Sequence, residues 1–211
     1  MGSVLKPSLP EQSDSAALVL VLDACVLISN VLRFLCLGLA RADVYLPAWS
    51  AIIGDEWARN ASRLWKVPVQ ALHQDWEAWQ REFPHADQAN VQAYKEGLKY
   101  SDPKDWHVIA AARSAQLAYP EHHVHILTKN VKDFNRSELK CLGLSVLPLD
   151  QFLLNVLGTH PAIMATLLEQ LPAAVKLSDK PLLSVDALLK RERLFGLNRR
   201  YQQMLLLKGK E

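Results

Sequence analysis

The feature that most constrains the fold is an uninterrupted apolar run at residues 18–22 that ends directly at an acidic residue, Asp23. Leucine and valine fill every position of this run, so it lacks the alternation of a strand with one face in water. Continuous runs of this kind are typical of strands in parallel sheets, which helices cover on both faces. We therefore predict a buried strand with a carboxylate at its carboxyl end.

Two more predicted strands, at 124–128 and 144–147, alternate along the chain with segments of helical periodicity. These helical segments are predicted at 24–40, 51–65, 69–84, 87–96 and 108–118. Residues 45–50 are predicted to be a connector whose last residue, Ser50, is the N-cap of the helix that follows. Alternating strands and helices predict an α/β sandwich with a mainly parallel sheet.

The chain of 211 residues, half of them hydrophobic, is long enough to bury a substantial core. Residues 1–15 are rich in serine and proline without periodicity, and we expect a flexible leader there. Residues 16–149 are predicted to form the α/β domain. Residues 150–211 are predicted to form a helical C-terminal extension with a basic tail, in which the last helix begins after Ser184.

The net charge of +2 combines two regions of opposite sign. Residues 186–211 contain seven Lys or Arg against three acidic residues, whereas the remainder holds 17 basic and 19 acidic side chains. A basic tail indicates an anionic partner, nucleic acid above all, and a solvated helix face explains it equally well. Both interpretations stay open at this stage.

The compartment is predicted from the cysteines and from the apolar segments. The three cysteines are scattered and show no zinc-binding spacing, which favours a reducing environment. The apolar stretch at 16–28 is interrupted by Asp23 and is too short to span a bilayer. The leader contains Glu11 and Asp14, unlike the positively charged start of a signal peptide. We expect a cytoplasmic protein that does not contact membranes.

Acidic and polar side chains accumulate where the predicted strands end. Ligands of open α/β sheets lie outside the carboxyl ends of the strands, and Asp23 occupies that position on the first strand. The other candidates follow the second strand or lie on neighbouring helices: Thr128, Asn130, Asp133, Glu56, Asp102 and Asp105. Adjacent carboxylates raise one another's pKa, and a hard divalent cation such as Mg²⁺ or Mn²⁺ removes that conflict. Two such ions can promote phosphodiester cleavage.

Each of these acids also has a purely structural explanation. Asp102 precedes a proline in the arrangement of an N-cap, which is the better interpretation of that residue. Asp105 in a first helical turn would stabilise the helix dipole by about 0.3–1 kcal/mol. Glu56, taken alone, would be a solvated helix residue. Asp23 is different, because a buried carboxylate is costly unless it has a partner.

Four blocks of the sequence, taken together and in order, resemble the PIN-domain ribonucleases, especially VapC-like toxins of type II toxin–antitoxin systems. The blocks are VLDACVLI at 21–28, SAIIGDEWARN at 50–60, DPKDWHVIAAA at 102–112 and LTKNVKDF at 127–134. The resemblance covers roughly residues 18–148. It implies a PIN-like three-layer sandwich, to which residues 150–211 are added as a helical extension.

The resemblance also implies a set of metal ligands and catalytic residues. Asp23 matches the aspartate at the end of the first strand, Glu56 the helical glutamate, and Asp105 the aspartate before His-Val-Ile-Ala. The fourth position is filled in some members where this chain has Asn130 and in others where it has Asp133. One or two Mg²⁺ or Mn²⁺ ions are implied, with Thr128, Asn130 and Asp102 in supporting roles.

The function implied by the resemblance is metal-dependent endoribonuclease activity. Lys104, Lys129 and Lys132, together with the basic tail, are expected to attract the RNA backbone. Family likeness further implies a homodimer and a small antitoxin protein that inserts an Arg or Lys near the acids.

Two alternatives remain from the sequence. One is a catalytically silent PIN-like module that binds RNA or a protein. The other is a phosphotransfer receiver domain with Asp23 as the acceptor, which would need a second acid beside Asp23 and a lysine on a later strand. The chain has Ala24 and Cys25 next and no clear strand lysine, which speaks against the receiver domain.

Overall fold

Four parallel strands form the centre of the protein in the computed structural model, which describes residues 18–176 and 181–208. The strands are β1 (Leu18–Leu22), β2 (Leu46–Ala48), β3 (His123–Thr128) and β4 (Ser145–Pro148), and their order across the sheet is β2-β1-β3-β4. Every pair of neighbours is parallel. The predicted leader, residues 1–15, lies outside the described residues.

The central strand β1 is covered on both faces. Its residues 19–22 are all 0% exposed, and successive side chains of a strand point to opposite faces. Helices therefore pack against both sides of the sheet, as the continuous apolar run predicted. The α/β class, the parallel sheet and the helical C-terminal extension are confirmed.

The helices of the described residues are α1 (Ala24–Leu27), α2 (Asn30–Arg41), α3 (Ala51–Trp65), α4 (Val69–Glu82), α5 (Trp106–Ala118), α6 (Arg136–Cys141), α7 (Leu149–Thr159), α8 (Pro161–Ala174), α9 (Val185–Arg191) and α10 (Phe195–Lys208). No helix among them is long and apolar enough to cross a membrane.

The single helix predicted at 24–40 is wrong, because the chain forms two helices there. The break falls at Ser29, whose backbone is extended and whose hydroxyl accepts the Leu32 N–H at 3.3 Å as the N-cap of α2. Serine competes with the helix for backbone hydrogen bonds in this way, so a new helix starts after it.

Three further expectations also need correction. The predicted connector at 45–50 contains β2, an edge strand, where Pro47 is tolerated because one side of an edge strand donates no ladder hydrogen bonds. Ser50 stands at the N-cap position of α3 but its hydroxyl makes no capping bond. The polar helix predicted at 87–96 is only a 3₁₀ turn, Gln92–Lys95.

The final helix of the extension is also two helices, α9 and α10, separated at residues 192–194. Arg193 has a φ of 61°, a left-handed conformation that no continuous α-helix contains. The start of α10 is fixed to α7, because the Asp150 carboxylate accepts the N–H groups of Gly196 at 2.7 Å and Leu197 at 2.9 Å. A Cβ on Gly196 would lie only 2.9 Å from Oδ2 of that carboxylate, so a larger residue would displace the carboxylate from the two N–H groups that it accepts.

Candidate functional site

The strand register aligns three polar residues along the carboxyl edge of the sheet. Val21 of β1 pairs with Ala48 of β2, and the last residue of β1 pairs with Leu127 of β3. When both registers are continued, Asp23 lies level with Ser50 on one side and with Thr128 on the other. Asp23 directly follows β1, Ser50 lies two residues after β2, and Thr128 is the last residue of β3. Two of them, Asp23 and Thr128, are predicted site residues that the fold brings into contact.

Asp23 is held by three hydrogen bonds although it is only 3% exposed. Its Oδ2 atom accepts the Thr128 hydroxyl at 2.5 Å and the Cys25 thiol at 3.0 Å, and its Oδ1 atom accepts the Cys25 N–H at 3.2 Å. These donors compensate the burial of the carboxylate and fix its orientation at the start of α1. A carboxylate has about four acceptor positions, so one remains for a ligand.

Cys25 takes part in this arrangement as a donor. Burial, followed by the charge of Asp23 and a hydrogen bond to it, raises the pKa of the thiol far above its usual value. The thiol therefore stays protonated at neutral pH, which excludes a thiolate nucleophile at this position.

Asp105 lies at the point where the acidic side chains converge. The pKa of its carboxyl is raised from 3.8 to about 6, first by burial and then by the charges of four other acids, in the order Asp23, Asp133, Asp102 and Glu56. Carboxylates act on one another in this way only when they are close together. The fold thus brings five acids from four separate segments of the chain near one position.

A pair of short turns carries three of these acids. The Asp102 N–H donates to the Asp133 carbonyl at 2.8 Å, and the Asp105 N–H donates to the Asp102 carbonyl at 2.9 Å. The Asp102 carboxylate accepts the Lys104 N–H at 3.0 Å, which confirms its predicted role as an N-cap. The backbone therefore holds the loop before α5 and the turn after β3 together.

Glu138, which is not among the predicted site residues, holds the loop before α5 in place. Its carboxylate accepts the N–H groups of three consecutive residues, Lys99 at 2.6 Å, Tyr100 at 3.0 Å and Ser101 at 2.9 Å. Burial raises the pKa of Glu138, but hydrogen bonds from Ser101 and from the three amides outweigh it and hold the pKa below its usual value. The sequence signal was the spacing Asn135-x-x-Glu138, which is typical of a helix N-terminus and does not reveal a bond to a distant loop.

Glu56 contacts His107 across the site. The side chain of Glu56 is about one-third exposed, and its Oε2 atom lies 3.0 Å from the Nε2 atom of His107. This contact departs from hydrogen-bond geometry, so the buried Nε2 atom has no hydrogen-bond partner among the described residues. The neighbouring Asp55 is exposed. His107 is only 6% exposed and does not face solvent.

Ser50 has an unsatisfied hydroxyl at the same edge of the sheet. The residue is 0% exposed, and its Oγ atom has no hydrogen-bond partner among the described residues. An unpaired buried hydroxyl is uncommon and calls for an explanation such as a bound water or ion. The sequence predicted Ser50 only as a helix cap, and because its hydroxyl makes no capping bond, the side chain is available for another partner.

The remaining predicted residues lie at the rim. Asn130 is exposed and its N–H donates to the Thr128 hydroxyl at 3.0 Å, whereas Asp133 is half-buried in its turn. Lys104, Lys129 and Lys132 are all exposed. The Lys129 Nζ atom lies 3.0 Å from a carboxylate oxygen of the extension, and the other two lysines make no ion pair with a described residue.

The donor set of this edge suits a divalent cation in its chemistry but not in its present spacing. In their present positions, no three His, Cys, Asp or Glu side chains of the described chain are close enough together to hold a metal ion. In chemistry the set does fit, because it consists of five carboxyls, one with a pKa raised to about 6, and the same edge of the sheet carries the unpaired buried hydroxyl of Ser50. Oxygen-only ligands of high negative charge are those preferred by Mg²⁺ and Mn²⁺.

Comparisons of the chain with families of known proteins, with curated proteins and with solved structures found no match.

Proposed function

We propose that this protein is a Mg²⁺- or Mn²⁺-dependent endoribonuclease of the PIN type that hydrolyses RNA phosphodiester bonds. The observation that carries the proposal is the raised pKa of Asp105 at the carboxyl edge of a parallel sheet, which is caused first by burial and then by the charges of four other carboxylates. Acidic clusters of this kind are unfavourable until a cation neutralises them. The same edge of the sheet is where α/β proteins bind their ligands.

In this proposal, Asp23, Glu56, Asp105 and Asp133 hold one or two ions. A bound divalent cation supplies charge neutralisation for the phosphate and a more acidic water as the nucleophile. Thr128 and Cys25 orient the Asp23 carboxylate through its Oδ2 atom. Without a cation, Asp105 relieves the repulsion by taking up a proton more readily than an ordinary aspartate does.

Cleavage of an RNA by purified protein tests this proposal. Wild type is incubated with labelled RNA and Mg²⁺ or Mn²⁺ and compared with Asp23→Asn, which keeps the shape of the side chain but removes its charge. The matched control is Asp55→Asn, on an exposed position of the helix that carries Glu56. We expect cleavage by wild type and Asp55→Asn alone, with a loss of at least about a hundredfold for Asp23→Asn. Undiminished cleavage by Asp23→Asn would refute the proposal.

The toxin role and its partners belong to the same proposal. A VapC-like toxin is expected to form a homodimer and to be neutralised by a small antitoxin that reaches the acidic edge. Expression of wild type should then arrest growth, expression of Asp23→Asn should not, and a short neighbouring reading frame should relieve the arrest. Sedimentation of the purified protein measures the oligomeric state, and a monomer would contradict the dimer.

A catalytically silent module is the second candidate, and one observation favours it. Both carboxylate oxygens of Asp23 are already bonded to donors of the protein, as in a purely structural N-cap. Calorimetric titration with Mn²⁺ separates the two candidates. Saturable binding that Asp23→Asn abolishes supports the nuclease, and the absence of binding supports the silent module.

A further inference from the structure

A groove of about 530 Å³ runs from the acidic edge toward the C-terminal extension. One wall is the end of β3 with the segment after it, at residues 128–131, and the other is the turn between α9 and α10, at residues 191–194. Residues 148–150 complete the lining, and the carboxylate of Asp150 is already bonded to two N–H groups of α10. Thr128 lines the groove and also bonds to Asp23, so the groove opens directly beside the candidate active site. Its volume is in the range of clefts that hold small ligands, about 300–1,000 Å³.

The two walls are joined by a set of polar contacts. Glu192, with a nearly buried side chain, lies 3.0 Å from the Lys129 Nζ atom and 3.5 Å from the Arg191 Nε atom. Arg191 also donates to the Asn30 side chain at 3.2 Å. These contacts neutralise the charge of Glu192, and they hold the turn between α9 and α10 against Lys129 and Asn30 of the α/β domain.

The groove lining contains three cationic residues, and Arg193 is the one that does not take part in these contacts. It is exposed, and its side chain makes no hydrogen bond or ion pair with the described part of the chain. Its φ of 61° is unfavourable for any residue other than glycine. A guanidinium is well suited to bind phosphate, because its planar fork of donors matches two phosphate oxygens.

We propose that this groove binds the sugar-phosphate backbone of single-stranded RNA, with Arg193 as the central phosphate contact, and leads the strand to the acidic edge. The cleavage of that strand rests on the function proposed above, but its binding does not. None of the residues that line the groove is aromatic, so it offers no stacking platform for bases. Contacts to phosphate alone position a strand without reading its sequence. The extension is thereby part of the substrate site.

The experiment measures RNA binding without cleavage. A labelled single-stranded RNA of about 12 nucleotides is titrated by fluorescence anisotropy in EDTA, at several salt concentrations. Arg193→Glu should raise the Kd at least about tenfold, and Arg193→Gly should reduce the slope of log K against log salt by about 0.7. Arg193→Gly also removes the backbone strain, so its Tm should equal or exceed that of wild type. This variant therefore separates loss of binding from loss of folding.

Lys66 provides a matched control. It is an exposed cation with a φ of 56°, at the C-cap of α3 and away from the groove lining. Lys66→Glu and Lys66→Gly make the same changes of charge and backbone strain, and they should alter the Kd less than about twofold, because Lys66 is not part of the groove lining and salt screens exposed charges. Equal effects at both positions, equally tight binding of duplex RNA, or no binding of RNA by wild type would each overturn the proposal.

Parallel cleavage assays keep the two proposals distinguishable. If RNA binding depends on Arg193 but Mn²⁺ produces no cleavage, the proposed RNA-binding groove is supported and the proposed nuclease activity is refuted. If RNA is cleaved and Arg193→Gly leaves the KM for RNA unchanged, the nuclease activity is supported and RNA binding in the groove is refuted.

Discussion

Replacing Asp105 by asparagine should stabilise the protein in the absence of metal. The fold raises the pKa of this carboxyl from 3.8 to about 6, which means that the native state disfavours its ionised form. Two units of pKa correspond to at most about 3 kcal/mol. Because Asp105 is half-exposed and solvent screens its charge, we expect about 1–2 kcal/mol at neutral pH. Its side chain makes no hydrogen bond with a described residue, so asparagine loses none.

The sign of this effect depends on pH. Well below pH 3.8, Asp105 is protonated in both the native and the unfolded state, and its charge costs nothing. Between about pH 4 and pH 6 the native state binds more protons than the unfolded state, so the stability of wild type falls as the pH rises. Above about pH 6 the full penalty applies. The gain from Asp105→Asn should therefore appear on going from pH 4 to pH 7.

Urea denaturation in EDTA, followed by tryptophan fluorescence, measures this difference. At pH 7 we also expect the Tm of Asp105→Asn to exceed that of wild type by about 2–8 °C. Asp55→Asn, an exposed substitution, should change stability by no more than about 0.5 kcal/mol. Mn²⁺ at a hundred times its Kd should stabilise wild type by about 2.7 kcal/mol and stabilise Asp105→Asn less. A variant that is less stable than wild type at pH 7, or equally stabilised at pH 4 and pH 7, would refute the electrostatic reasoning.

Two other substitutions test how the site and the groove are held in place. Glu138→Gln should destabilise the protein by about 1–3 kcal/mol, because three amides lose a charged acceptor. Urea denaturation measures the difference in free energy of unfolding between wild type and variant. Because the native pKa of Glu138 is lowered, this difference should shrink as the pH falls through that pKa. Gly196→Ala should lower the Tm, because its Cβ would lie 2.9 Å from a carboxylate oxygen of α7. Gly158→Ala, where a Cβ meets nothing within 4 Å, should instead raise the Tm, and equal shifts would contradict the close approach.

The sequence predicted the centre of the fold well, for a physical reason. A run of five apolar residues that is buried on both faces has few alternatives to a central parallel strand, and Asp23 then has to lie at the ligand-binding edge. The convergence of the other acids was predicted only through the resemblance of the four blocks. The structure brings those acids together around Asp105, and their catalytic roles remain predictions.

The errors come from features that depend on distant parts of the chain. The strand β2 is three residues long and contains Pro47, so its local signal is that of a loop, and only the neighbouring strand makes it part of the sheet. The left-handed Arg193 breaks the last helix, although arginine favours helices. Glu138 has the local signature of a helix N-terminus, but it binds a loop about 38 residues earlier in the chain.

The bond between Asp150 and the start of α10 has a consequence for the order in which the protein is made. Its two partners are separated by 46 residues, so α10 cannot be anchored until that length of chain has followed Asp150 out of the ribosome. At about 5–20 residues per second this takes roughly 2–9 s. During this interval all four strands of the sheet already exist while the second wall of the groove does not. The acidic edge of a nascent chain therefore precedes the surface that we propose delivers RNA to it.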